Sequence, residues 1–244
     1  MTPRLTLAPL ALAFALLTPA AQAHDLWLAK VHGEQTLFNG HSPFDTDGYD
    51  PNTVVEARAY KNGKPQLATI VRHHNQRYAT IKSEAPGLVG LTRDGGFWVK
   101  TKDGKWHNQS RNEISNPQDI ALSLRSLKMV GSYLTPREPV TRMGYDLEIV
   151  PASNPAKLKQ GDPLEVQVFY MGKPLAGAKI NTDLFDPNAA KISTDTEGKA
   201  TLKVNHAGYN AISASHSVPY PDSKLADQNS LVYTLSYVTS VAHH

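Results

Sequence analysis

Short segments in which apolar and polar residues alternate recur along most of the chain, and turn-forming residues separate them. From Asn52 the alternation continues to Tyr60 and stops at residues 61–65, whose Asn-Gly pair is typical of a tight hairpin turn. An alternation with a period of two places one side of a strand against a core and the other side in solvent. The pattern therefore predicts an all-β protein.

The strand pattern resumes after Gly144 and divides the chain into two halves. We expect six strands in the second half, separated by turns that contain glycine, proline or aspartate, at residues 145–150, 164–170, 178–184, 199–204, 209–216 and 231–238. This spacing is typical of an immunoglobulin-like or transthyretin-like sandwich. We therefore predict two β-sandwich-like halves: an N-terminal β domain at residues 24–140 and a C-terminal immunoglobulin- or transthyretin-like domain at residues 141–244.

One segment of the first half has the periodicity of a helix instead. Asn116 and Pro117 are residue types that favour the N-cap and the first position of a helix. Apolar residues follow at intervals of four and three, at Ile120, Leu124 and Leu127. Gly131 is suited to end the helix. We therefore predict one short helix near residues 117–130.

The first 23 residues have the composition of a signal peptide. Arg4 gives the positive start, residues 5–20 are almost entirely apolar, and the small residues Ala21 and Ala23 match the site at which signal peptidase cuts. Two prolines interrupt the apolar run, which is shorter than the about 20 residues needed to cross a bilayer. We expect cleavage after Ala23, export to the periplasm, and a mature chain that does not span the membrane.

Composition excludes several classes of ligand and partner. The chain has no cysteine, so a metal site would use histidine, carboxylate or main-chain groups, which suit nickel, cobalt, copper or zinc. The formal net charge is only +3, without a basic run, which argues against nucleic acid as a partner. No nucleophile elbow, phosphate-binding loop or paired zinc-binding histidines occur, so we predict no catalytic or cofactor-binding residues and no enzyme.

Cleavage after Ala23 would make His24 the first residue of the mature chain. A terminal histidine can bind one ion through both its α-amine and its ring Nδ1, and the α-amine has an ordinary pKa of only about 7.7–8.0. Losing that proton to a metal costs little at neutral pH. We therefore predict His24 as a metal ligand; the alternative is a histidine that stands at this position by chance.

Two further histidines are candidate ligands. His41 lies in a turn-like segment between apolar stretches, and His216 ends a predicted strand, where a rigid scaffold suits a ligand. The alternative for His41 is a solvated loop histidine. Asp25 is a candidate for orienting one of the rings, and we expect the remaining histidines to be structural or exposed. The segment Asp45–Asp50 lacks the final glutamate of a calcium loop, so we interpret it as a carboxylate-rich turn.

Four motifs together resemble one family. They are AHDLWL at residues 23–28, Gly-His at 40–41, LEIVP at 147–151 and GKPLAGA at 172–178. The chain resembles the DUF4198 family, which is grouped with periplasmic components of nickel and cobalt uptake systems. The resemblance spans the mature chain and implies a two-part β protein that captures Ni²⁺ or Co²⁺ and presents it to a transporter. The ligand positions it implies are His24, His41 and His216.

Three functions are compatible with these features. The first is a periplasmic nickel or cobalt carrier, with copper as the alternative ion and a metal transporter of the inner or outer membrane as the partner. The second is a copper-dependent oxidase that uses the N-terminal histidine, with Trp98 and Trp106 available for a substrate-binding face. The third is a metal-free adhesion or scaffold module that presents its loops to a partner.

Overall fold

The computed structural model describes residues 24–239 of the chain. The predicted signal peptide, residues 1–23, lies outside the described residues, as do His243 and His244. Among residues 24–239, no helix is long and apolar enough to cross a bilayer.

Strands dominate the described part of the chain, which confirms the predicted all-β class. The helical segments among residues 24–239 are four short 3-10 turns: Pro51–Thr53, Arg111–Glu113, Pro117–Asp119 and Pro155–Lys157. The strands, numbered in chain order, are Asp25–Val31 (β1), Glu34–Ser42 (β2), Asp45–Thr46 (β3), Val54–Lys61 (β4), Lys64–Gln66 (β5), Thr69–His73 (β6), Tyr78–Lys82 (β7), Leu88–Thr101 (β8), Trp106–His107 (β9), Ile120–Tyr133 (β10), Leu147–Pro151 (β11), Pro163–Tyr170 (β12), Lys173–Pro174 (β13), Lys179–Asn181 (β14), Lys191–Ser193 (β15), Lys199–Lys203 (β16), Tyr209–Pro219 (β17) and Gln228–Val238 (β18).

The predicted helix near residues 117–130 is wrong. Pro117–Asp119 form a single 3-10 turn, in which the side chain of Asn116 accepts a hydrogen bond from the main-chain N–H of Gln118. The chain then continues as β10, a strand of 14 residues. β10 pairs with β8 on one side and with β18 on the other, so tertiary pairing satisfies the main-chain groups that a helix would have paired locally.

Three sheets make up the described fold, and the largest runs through its middle. The central sheet has the strand order β15-β14-β17-β18-β10-β8-β4-β5, with β9 attached to β8. Its strands come from both sides of the predicted boundary between residues 140 and 141, and they meet where β10 lies parallel to β18. A five-stranded sheet has the order β1-β2-β7-β6 with β3 paired to β2, and a four-stranded sheet has the order β11-β12-β13 with β16 paired to β12.

The two smaller sheets pack on opposite faces of the central sheet. Val130 of β10 joins a core shared with the five-stranded sheet, and its neighbour Met129 joins a core shared with the four-stranded sheet. The first core includes Leu26, Leu28, Leu37, Ile81, Val89 and Leu91. The second core includes Leu147, Ile149, Val166, Val168, Ile212, Tyr233 and Leu235. Burial of such side chains, at about 1.5–3 kcal/mol each, is the main favourable term in folding.

Candidate metal centre

The first hairpin brings His24 and His41 together. The turn between β1 and β2 consists of residues 32–33, a His-Gly pair with positive φ values of 48° and 90°, as in the turns that match the twist of a hairpin. From this turn the register pairs Asp25 with Gly40, so the next pair along the strands is His24 and His41. Their rings stack with centroids 4.6 Å apart. Reading residues 32–33 as a two-residue turn would have revealed this pair from the sequence.

Asp47 holds the imidazole of His24. Because β3 pairs with β2, the main-chain N–H of Asp47 donates to the carbonyl oxygen of Asn39 at 2.7 Å. The carboxylate of Asp47 then lies 2.6 Å from Nε2 of His24. A hydrogen bond at Nε2 keeps the ring proton there and leaves the lone pair of Nδ1 free. The carboxylate that orients this ring is therefore Asp47 and not Asp25, and it comes from the segment that we interpreted as a carboxylate-rich turn.

The ring of His41 has a nitrogen atom without a partner. Its Nδ1 is buried and has no hydrogen-bond partner among residues 24–239, although buried polar atoms are nearly always paired. The side chain of His24 is 45% exposed, so the pair of rings can be reached from solvent. No group of three or more histidine, cysteine, aspartate or glutamate side chains in the described chain could hold an ion. The two rings alone would supply two ligands at this place, and a third ligand would be a main-chain group or a water molecule.

Arg93 supports the loop that carries Asp47. Its guanidinium donates to Oδ1 of Asn39 at 2.8 Å and to Oγ1 of Thr53 at 3.0 Å. It also lies over the ring of Tyr49, 4.8 Å from the centroid. The hydroxyl of Tyr49 in turn donates to the main chain of β2 at 3.1 Å. These contacts fix both sides of the loop, so the position of Asp47 depends on a rigid part of the fold.

Lys128 and Asp25 lie directly behind His24. The side-chain amine of Lys128, in β10, donates to the main-chain carbonyl oxygen of His24. Burial lowers the pKa of Lys128 to about 8. Burial also raises the pKa of the Asp25 carboxyl, and Lys128 is foremost among the charges that oppose this rise. The two groups lie close enough between the first strand and the central sheet for each charge to act on the other.

His216 lies on the other face of the central sheet and does not join the pair. His216 pairs with Leu231 of β18. Lys128 of β10 pairs with Val232, the next residue of β18. Consecutive residues of a strand point to opposite faces, and Lys128 points towards His24. The ring of His216 packs instead against that of Tyr170 in the four-stranded sheet, with centroids 4.8 Å apart, and burial lowers its pKa. The predicted set of three histidines therefore does not come together.

Two other histidines have partners of their own. Nε2 of His206 lies 2.6 Å from the carboxylate of the buried Asp183. The ring of His73 stacks on that of Tyr78, with centroids 4.4 Å apart. We expected structural or surface roles for these residues, and their contacts are of that kind.

A hollow of about 360 Å³ opens beside Asp47. Charged side chains of both signs contribute to its lining, namely Glu34, Asp47 and Arg77. Its volume is within the range of sites for small molecules. The hollow includes Asp47, but neither His24 nor His41 contributes to its lining.

Three comparisons relate the chain to known proteins. The model of a family described as "Domain of unknown function (DUF4198)" matches residues 21–218, which confirms the resemblance seen in the motifs. No curated protein matches the chain. Among solved structures, the chain is similar to the "D0-D1 domain of Intimin", with 11% identity over 87% of this chain and 97% of that chain. The TM-score is 0.22, so this likeness carries no argument.

Proposed function

Because the chain belongs to the DUF4198 family, whose function is unknown, we propose a function from the candidate metal centre. The mature protein binds a nickel or cobalt ion in the periplasm through His24 and His41, and it presents this ion to an uptake transporter of the inner or outer membrane. The observation that carries the proposal is the closeness of the two imidazoles, 4.6 Å between centroids, together with a buried ring nitrogen that has no partner in the described chain. Because the lone pair of an imidazole nitrogen lies in the ring plane, the stacked rings rotate out of this arrangement when they share one ion.

The third ligand in this proposal is a main-chain group, the α-amine that cleavage after Ala23 exposes. His24 then offers two nitrogen atoms, the amine and Nδ1, and a chelate within one residue orders fewer groups than two separate ligands do. The contact between Asp47 and Nε2 supports this use of Nδ1. With one nitrogen of His41 the ion has three nitrogen ligands. Its remaining positions are free for exchange with a receiving protein, as the transport of cargo requires.

Three nitrogen ligands do not by themselves select nickel or cobalt. At such a site the intrinsic affinity rises from cobalt to nickel to copper, and the chain has no thiolate that could change this order. The case for nickel and cobalt comes from the grouping of the family with uptake systems. We therefore expect copper to bind most tightly in vitro, and the ion carried in the cell to depend on metal supply.

Calorimetric titration of the mature protein, prepared with His24 as its first residue, tests the proposal with Ni²⁺, Co²⁺ and Cu²⁺. We expect one ion per chain. Extending the N-terminus by one alanine, or replacing His41 by alanine, removes a direct ligand. Each change should weaken binding by about 100-fold or more, because even partners that only orient a ligand contribute about 10–100-fold.

Matched variants separate the site from its surroundings. His216→Ala removes a histidine from the opposite face and should leave the affinity unchanged. Asp47→Asn should weaken binding by about 10–100-fold, whereas Asp45→Asn, which removes the same charge two residues earlier, in β3, should not. Dissociation constants weaker than about 1 mM for all three ions, or an unchanged affinity after the alanine extension, would overturn the proposal.

A further inference from the structure

Lys128 contacts the carbonyl oxygen of His24, a main-chain group that the proposed metal binding does not use. β10 carries Lys128 towards β1, and its amine donates to the carbonyl oxygen of His24. A hydrogen bond from a charged donor is roughly twice as strong as one between neutral groups. The carbonyl group, the α-amine and the side chain of His24 all branch from one Cα atom. Holding the carbonyl group therefore restricts where the amine and the ring can lie.

We propose that Lys128 is a positioning residue, which fixes the main chain of His24 so that its α-amine and ring reach the same ion. This inference rests on the proposed function, because it concerns the same site. The first residue of a chain is poorly ordered unless it is tied down. A ligand that is already ordered binds more tightly, since less conformational freedom is lost when the ion arrives.

The surroundings of Lys128 suit this role. The charge of Asp25 acts on Lys128, so it reduces the repulsion of an approaching cation that a lone ammonium would cause. Arg93, the other cation behind the site, donates to Asn39 and Thr53 and supports the loop of Asp47. The two cations therefore order different parts of the site: Lys128 orders the first residue, and Arg93 orders the loop opposite it.

Lys191 offers a matched control for the charge of Lys128. It is exposed at the start of β15, and its charge also acts on Asp25. Replacing Lys191 removes a positive charge near the site and leaves the hydrogen bond between Lys128 and His24 in place. A comparison of the two lysines therefore separates the effect of the hydrogen bond from that of the local charge.

The experiment compares the mature wild type with Lys128→Met, Lys191→Met and the double variant Asp25→Asn/Lys128→Met, with Cu²⁺ as the probe ion. Calorimetry gives the dissociation constant, and electron paramagnetic resonance shows how uniform the coordination is. We expect Lys128→Met to weaken binding by about 10-fold or more, as loss of an orienting partner does. Its spectrum should change from one copper species to several, a result that a loss of fold stability alone does not produce.

The double variant removes both charges together, so it serves as the folded test if Lys128→Met does not fold. We expect it to behave as Lys128→Met does, and Lys191→Met to behave as the wild type does. The inference is overturned if the variants without Lys128 bind and coordinate copper like the wild type, or if Lys191→Met is equally weakened. Failure of the wild type to bind would instead remove the proposed function, and this inference with it.

Discussion

The stability of the fold depends on the charge of the His216 side chain. Its ring packs against Tyr170, and burial lowers its pKa below the ordinary value of 6.5. The unfolded chain therefore takes up a proton at this position more readily than the folded chain does. The resulting contribution to stability is fully present above pH 6.5, and it is lost as the pH falls through the lower pKa of the folded state.

We expect the free energy of unfolding of the wild type to fall more than that of a His216→Gln variant as the pH is lowered from about 7 to about 5, because glutamine takes up no proton. Urea unfolding in metal-free buffer at several pH values measures this difference. His74→Gln, at an exposed histidine, is the control and should keep the dependence of the wild type. If the free energy of unfolding depends on pH in the same way for the wild type and His216→Gln, the proposed role of His216 is contradicted.

The histidines also show how far single residues could be predicted. His24 and His41 were predicted as ligands and lie together, since a local hairpin sets their register. His216 lies elsewhere because its position depends on long-range pairing of β17, β18 and β10, which no local pattern encodes. Asp47 was missed because β3 has only two residues, too few to show a periodicity.

At the scale of one element, β10 shows how a strand can imitate a helix. Ile120, Leu122 and Leu124 are spaced two residues apart but are only partly buried, and the buried residue of this stretch is Ser123. The register with β8 then shifts between Ser126 and Leu127. The extra residue at this bulge lies in β8, and the pairing of β10 with β18 continues without a break from Leu124 to Tyr133. Leu124 and Leu127 therefore lie on opposite faces of β10. Because both faces of the central sheet are covered, apolar residues three positions apart imitate a helical turn. Long-range pairing on both edges of the strand then outweighs the local preference.

Gly131, which the sequence suggested as the end of a helix, is a point of close packing within β10. A methyl group there would overlap the hydroxyl of Tyr233 and would lie 2.5 Å from Cε of Met143. We therefore expect Gly131→Ala to lower the free energy of unfolding by about 1–3 kcal/mol, the usual cost of overpacking a core. Chemical unfolding of the two proteins measures the change.

Tyr233→Phe provides the control, because it removes the hydroxyl that the new methyl group would meet. In this background Gly131→Ala should cost less than it does in the wild type. Strict additivity of the two substitutions would contradict the proposed overlap, since contacting residues are expected to couple.

At the scale of the whole molecule, the central sheet joins the two predicted halves. The all-β class could be predicted from the alternation, but the order of the strands could not. The parallel pair β10 and β18 connects distant parts of the chain, and its contacts appear in no local pattern. One core also contains residues from both sides of the boundary at residue 140, among them Leu88 and Met129 from the first half.

We therefore expect a fragment of residues 141–244 not to fold alone, because it leaves an edge of β18 unpaired and lacks part of its core. Circular dichroism and the dispersion of amide signals in NMR spectra of the fragment test this expectation, with the full mature chain as the reference. A fragment that melts cooperatively would show that the second half is an independent domain.

The pairing of β10 with β18 also joins the middle of the chain to one of its last segments. Synthesis proceeds from the N-terminus, so His24 and Lys128 are made before β18, the strand that completes the support of Lys128. A chain that ends before residue 228 lacks β18, so the strand that carries Lys128 has no partner on that edge. Under the proposed function, firm binding of an ion by His24 would therefore require a chain that has folded as far as its last strand.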